Sequence, residues 1–122
     1  ATSGTTGTTS LDVGTDASRT ALSGSTGAVT FSDSASVAGN VRISGFGIDD
    51  VIRVTGATAS QYSFTSGDFD NDGSADDLSI VYNAGSGVVN DIQILNVVSP
   101  SDFVFDSASA IKAVGFNFIT FG

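Results

Sequence analysis

From residue 11 to the C-terminus, short runs of Val, Ile, Leu and Phe recur, each cut off by Gly, Asn, Asp or Ser. The intervening polar residues are mostly Gly, Ser, Thr, Asn and Asp, with no Glu and a single Pro. Poor helix formers in such numbers, alternating with β-branched and aromatic residues, argue for strands and turns. Strands are expected near residues 11–13, 20–22, 28–31, 40–43, 51–55 and 62–64, then 78–82, 91–97, 103–105 and 116–121. Leu78, Ile80 and Tyr82 share one strand face, as do Ile92 and Ile94, with Val97 less regular. Asn83-Ala84-Gly85-Ser86-Gly87 between them reads as a hairpin turn. Residues 107–114, opened by Asp106 as N-cap, form the one short helix expected.

At 122 residues, 40% of them hydrophobic, the chain is one domain by size, with a core but little to spare. Residues 1–10 hold only Ala, Thr, Ser and Gly. They are expected to be a flexible arm or a donated strand that pairs with a sheet edge, so that 11–122 make up the all-β domain. Strands at eight-to-twelve-residue spacing suit a β-sandwich or a β-roll wound in parallel coils. No repeat of fixed period is visible, which favours the sandwich, with a solenoid-like first half as a variant of it.

Thirteen acids face four bases (Arg19, Arg42, Arg53 and Lys112), a formal charge of −9. That charge opposes nucleic acid and anionic membranes as partners. No apolar run reaches the length of a membrane span, so insertion is not expected. Without Cys or His, zinc sites of the usual kind, Cys nucleophiles, Ser-His-Asp triads and disulfides are excluded. The adjacent acids Asp49 and Asp50 make a poor glycosidase dyad, since neighbouring strand residues face opposite ways; a turn or a metal shell suits them better. No catalytic residues are expected, and the chain reads as a non-enzyme.

Five of the thirteen aspartates fall in the ten residues Asp68-Phe69-Asp70-Asn71-Asp72-Gly73-Ser74-Ala75-Asp76-Asp77. Alone, such a cluster repels itself; around a hard divalent cation the same carboxylates become ligands. Calcium takes six to eight oxygens at about 2.3–2.6 Å, and a D-x-D-x-D-G run brings three carboxylates into one turn. Glycine at the sixth position permits the bend that aims the next carbonyl, that of Ser74, inward. Asp76 at the ninth position closes the shell directly or through water, with Asp77 beside it. The expected Ca2+ ligands are therefore Asp68, Asp70, Asp72, Ser74, Asp76 and Asp77. A disulfide-free small domain needs another staple, and calcium is the candidate.

The loop resembles the calcium loops of FG-GAP repeats, dockerins and thrombospondin-type modules; Gly67-Asp68-Phe69 before it and Leu78-Ser79-Ile80 after it are closest to an FG-GAP loop running into a strand. It occurs once, so the propeller of that family is not implied. Position twelve is Ser79 rather than an acid, which implies affinity suited to millimolar extracellular calcium. Residues 41–106 are similar to the segment that closes RTX β-rolls in type I-secreted proteins: Val41-Arg42-Ile43-Ser44-Gly45-Phe46-Gly47-Ile48-Asp49-Asp50-Val51-Ile52-Arg53-Val54, ending in Ser101-Asp102-Phe103-Val104-Phe105. The G-G-x-G-x-D nonapeptides of those proteins are missing. The resemblance implies a C-terminal β-rich module of an exported protein, without protease activity. The tail Phe116-Asn117-Phe118-Ile119-Thr120-Phe121-Gly122 fits a closing core strand, or an uncleaved secretion signal under that resemblance.

These features lead to the expectation of a calcium-bound β-sandwich or β-roll-like domain at the cell surface or outside the cell. It would be a structural subunit of a matrix, filament or surface layer, with copies of itself as partners. The alternative is a calcium-dependent carbohydrate-binding or adhesin module whose partner is a polysaccharide. Tyr62 and Tyr82 are its candidate platforms, though both also fit as strand residues.

Overall fold

A computed structural model describes residues 6–11, 20–23, 28–37, 39–82 and 90–121. In chain order these hold β1 (Thr6–Ser10), β2 (Thr20–Ser23), β3 (Ala28–Ser34), β4 (Gly39–Ser44) and β5 (Val51–Thr55). After a single 3-10 turn (Ala59–Gln61) come β6 (Tyr62–Gly67), β7 (Asp77–Tyr82), β8 (Asn90–Ile94), α1 (Ser107–Val114) and β9 (Ile119–Phe121). The strands make two sheets, ordered β1-β3-β5-β9 and β2-β4-β8-β7-β6. The fold is thus β-dominated with one short helix among the described residues, as expected. No helix among them is long and apolar enough to cross a membrane.

The first five strands alternate between the two sheets and pair in parallel. Thr6 lies opposite Ala28, Thr20 opposite Val41 and Thr30 opposite Val51, so the chain advances by 22, 21 and 21 residues per turn. That winding is the solenoid-like first half, and it exists without a sequence repeat. Each turn asks only for apolar residues at alternate strand positions, which Val, Ile, Leu and Phe satisfy interchangeably. The ladder Phe31–Ile52–Ile119 runs across one sheet. The ladder Val41–Ile92–Ile80–Phe64 runs across the other. All seven side chains are buried in a core shared by both sheets. Thr6–Ser10 pair along their full length with β3 of the same chain.

Beyond β5 the chain leaves the coil. β6, β7 and β8 form an antiparallel meander whose last strand returns parallel to β4. The turn expected at residues 83–87 lies outside the described residues, as do residues 12 and 13 of the first expected strand. A polar link crosses the interior between the sheets. The Tyr62 hydroxyl donates to Asp33 Oδ2 at 2.6 Å, and the Asn90 side-chain amide donates to the Ser34 carbonyl at 3.3 Å. Tyr62 is therefore a buried core residue, and half-buried Tyr82 packs on it with ring centroids 5.2 Å apart.

Leu11, expected to open the first strand, is a buried bend just after β1, and three further expected elements differ. Residues 103–105 are not a strand: Phe103 and Phe105 are 79% and 63% exposed, and Val104 alone is buried. The backbone there is used to start the helix, since the N–H groups of Phe105 and Asp106 both donate to Ser109 Oγ at 3.0 Å. Asp106 caps α1 as expected, accepting from the Ser109 N–H at 2.8 Å. In the tail only Ile119–Phe121 is a strand; Phe118 is fully buried, and Phe116 stacks on Phe46 with centroids 6.2 Å apart. β8 ends at Ile94 rather than residue 97, because residues 96–98 turn to bind Asp76 and Asp77. Asp49 and Asp50 sit in a turn, where buried Asp50 accepts from Val29 N–H at 2.9 Å and Gly47 N–H at 2.8 Å.

Phe31→Ala is expected to cost about 3–5 kcal/mol in urea unfolding, the range for a buried ring. Phe105→Ala is expected to stay within about 0.5 kcal/mol, as an exposed side chain should. Comparable losses at both positions would place Phe105 in the core.

Candidate metal centre

The acidic loop closes the hairpin between β6 and β7. The ladder between these strands ends at the pair Gly67↔Asp77, and residues 68–76 bridge it. Two backbone positions make so tight a loop feasible. Asn71 has φ 61° and Gly73 φ 88°, the left-handed region that Asn tolerates and glycine enters freely. Gly67 is kept small by close approach: a Cβ there would lie 3.1 Å from the Phe69 ring, which folds back on the strand.

Inside the loop the carboxylates bind their own backbone. Asp68 accepts from the N–H groups of Asp72 at 3.1 Å and Gly73 at 3.0 Å. Asp72 accepts from Ser74 N–H at 2.9 Å. Such side-chain-to-backbone bonds hold a turn in shape and point the carboxylates to a common centre. Oxygens of the clustered acids gather into two groups, Asp68–Asp70–Asp77 and Asp70–Asp72–Asp76, in each of which one oxygen per residue lies within 4.8 Å of the others. A cation about 2.3–2.6 Å from each oxygen spans separations of that size. The donors are all hard carboxylate oxygens, so either group could hold a hard metal ion, and Asp70 belongs to both. Ser74, expected to contribute its carbonyl, is fixed in the loop by its N–H.

Asp77 behaves differently from the other acids. It is fully buried, and its oxygens accept from the N–H groups of Phe69 at 2.9 Å, Asp70 at 3.1 Å and Asn96 at 3.0 Å. Burial pushes its pKa upward, but these backbone donors outweigh that and hold the carboxyl below its ordinary value. The neighbours carry the opposite strain. Desolvation, with Asp77 alongside, pushes the Asp70 carboxyl up from the ordinary 3.8 to about 6. Desolvation and the Asp77 and Asp72 carboxyls likewise raise Asp76.

Residues remote in sequence complete the site. The Asn96 side-chain amide faces Asp76 and, with its NH2 turned inward, donates to both carboxylate oxygens at 2.9 and 3.2 Å. The Val97 and Val98 N–H groups donate to the Asp76 carbonyl at 3.0 and 3.1 Å. From the sheet, Arg42 Nη2 donates to the Phe69 carbonyl at 2.8 Å and to Gln93 Oε1 at 3.0 Å. Arg42 and Gln93 are register partners on β4 and β8, so Gln93 steadies the Arg42 side chain that holds the start of the loop. Asn96, Arg42 and Gln93 lacked any local signal: none lies within fifteen residues of the acidic run.

No family model matches the chain, and no curated protein or solved structure is significantly similar to it. The site therefore rests on its own geometry.

Asp77→Ala is expected to lower stability by about 2–4 kcal/mol even in chelator, because three backbone donors lose their acceptor. Asp72→Ala, at an exposed position where only the Ser74 N–H loses its acceptor, is expected to cost metal-free stability no more than about 1 kcal/mol. The pH dependence follows from Asp70. Its folded value lies above the ordinary one, so the folded metal-free chain holds this proton more tightly than the unfolded chain does. Metal-free stability from this group is then lowest above about pH 6 and is gained as pH falls toward the ordinary value. A metal ion must displace that proton, so affinity measured by calorimetry is expected to fall about tenfold from pH 7 to pH 5.

Proposed function

We propose that the acidic loop binds Ca2+ and that the chain is a calcium-stabilised structural protein of the cell surface or extracellular space, associating with copies of itself. The observation that carries this reading is the sharing of Asp70 between two carboxylate groups, beside an Asp77 already committed to the backbone. A folded chain that crowds anions in this way, and raises Asp70 to about 6, is relieved by a divalent cation. Calcium suits the site better than magnesium, since it accepts many oxygens in flexible geometry, whereas magnesium demands a near-ideal octahedron.

The ion would act as a staple. It would join β6 to β7 at the open end of their ladder and, through Asp76 and Asp77, hold the turn after β8. A ligand that binds only the folded form stabilises it by RT ln(1 + [Ca]/Kd), about 2.7 kcal/mol at a hundredfold excess over Kd. In millimolar extracellular calcium the domain would be firm; in calcium-poor cytoplasm it would stay easy to unfold for export. The similarity of residues 41–106 to the closing segment of type I-secreted β-rolls supports the same location. Of the two tyrosines that the carbohydrate-binding alternative would use, Tyr62 is buried with its hydroxyl on Asp33 and Tyr82 is half-buried against it.

Thermal unfolding in excess calcium against excess chelator tests the reading. Calcium is expected to raise Tm by several degrees, Asp70→Ala to abolish that gain, and magnesium to give little of it. An unchanged Tm and an unchanged circular dichroism spectrum on chelation would sink the proposal.

A further inference from the structure

Asn96 stands outside the acidic loop, yet it meets both of the loop's last two acids. Its N–H donates to Asp77 Oδ1 at 3.0 Å. Its side-chain amide lies against Asp76, with one end 2.9 and 3.2 Å from the two carboxylate oxygens. The residue has φ 58°, a left-handed conformation that a side chain holds only where its surroundings fix it. The fixing comes from the next two residues. The Val97 and Val98 N–H groups donate to the Asp76 carbonyl at 3.0 and 3.1 Å, and Val98 is buried. The turn after β8 is thus wrapped around Asp76, and the Asn96 side chain itself is exposed.

An amide carries a donor at one end and an acceptor at the other. Without an ion, the NH2 end answers the Asp76 carboxylate. Turned over, the same side chain sets its oxygen where the nitrogen was, 2.9 and 3.2 Å from two carboxylate oxygens. Oxygens approach each other so closely when they share a cation: neighbours in a calcium shell, each about 2.3–2.6 Å from the ion, lie about 3 Å apart. Asp76 belongs to the group Asp70–Asp72–Asp76. Three carboxylates leave calcium's shell of six to eight oxygens open to others, and an Asn side-chain oxygen is among the donors calcium accepts.

The two carboxylate groups also differ in what they already hold. Both oxygens of Asp68 accept backbone N–H groups, as do both oxygens of Asp77, and Asp77 is fully buried. In the other group Asp70 and Asp76 are half-buried and Asp72 is exposed. A hydrated ion therefore reaches the second group more readily.

We infer that Asn96 is a calcium ligand through its side-chain oxygen, beside Asp70, Asp72 and Asp76, and that its amide turns over when the ion arrives. This rests on the calcium binding in the proposed function and specifies which carboxylate group takes the ion. The ion would join the end of the loop to the turn after β8, next to the pair Leu78↔Ile94 of the β7–β8 ladder.

Two variants separate a ligand from a structural contact. Asn96→Gly keeps the N–H to Asp77 and suits φ 58°, but removes the amide. Asn96→Asp also tolerates that φ, keeps an oxygen and loses the donor. Two quantities are measured on the full chain: Ca2+ affinity by calorimetry, and the luminescence decay of bound Tb3+ in H2O against D2O, which counts waters on the ion. Asn96→Gly is expected to bind Ca2+ about tenfold more weakly and to hold one more water on Tb3+ than wild type. Asn96→Asp is expected to keep the wild-type water count and to bind Ca2+ at least as well as wild type. Its Tm in chelator is expected to fall, because two carboxylates then face each other. An unchanged water count in Asn96→Gly would make Asn96 an outer contact and overturn the inference. Asn96→Asp binding as weakly as Asn96→Gly would overturn it too. Neither result touches the calcium reading, which fails, and this inference with it, if wild type binds neither ion.

Discussion

A buried carboxylate without hydrogen-bond donors is among the most costly groups a fold can contain, and Asp77 is buried with three backbone donors around it. Two of them come from the start of the acidic loop and one from the turn after β8. Through that single group the path of the loop, the beginning of β7 and the end of β8 are set together. The consequences spread outward. With Asp77 held ionised by backbone N–H groups, Asp70 and Asp76 are left crowded, in an arrangement that could hold a metal ion. A metal bound there would reinforce an arrangement that the backbone has already organised.

The scaffold beneath the loop combines two kinds of winding. Parallel coils of 21–22 residues build the first half, and an antiparallel meander builds the edge that carries the acidic loop. They meet where β8 lies between β4 and β7. The Tyr62–Asp33 hydrogen bond ties one sheet to the other through the core. Arg42 of β4, held by Gln93 of β8, attaches the loop to the strands where the two windings join. The proposed staple would therefore firm the β6–β7 edge of this frame.

Local signals were legible and distant ones were not. The aspartate spacing and Gly73 mark the loop because its geometry is made by neighbours in sequence. The same holds for α1, whose cap Asp106 and partner Ser109 lie three residues apart, and for the strand at Val51–Thr55. Residues 103–105 misled because alternating Phe-Val-Phe has the period of a half-buried strand, yet the backbone there is spent on the helix start and the rings face outward. Asn96 gave no sign of its role, since a lone Asn after a strand is ordinary until the fold brings it against Asp76. The coil period was invisible because packing asks each turn for apolar character at alternate positions and not for particular residues.

What the sequence determined by itself is the chemistry and the class: strands rather than helices, carboxylates rather than thiols or imidazoles, and one loop able to gather hard oxygens. Those follow from residue identity over a few neighbouring positions. The tertiary structure alone decided that the strands wind as parallel coils before turning antiparallel. It also decided that Asp77 is an anchor while Asp70 is the crowded acid. Each of these depends on which distant residues share a sheet or a buried pocket, and burial and strand pairing are properties of the folded chain.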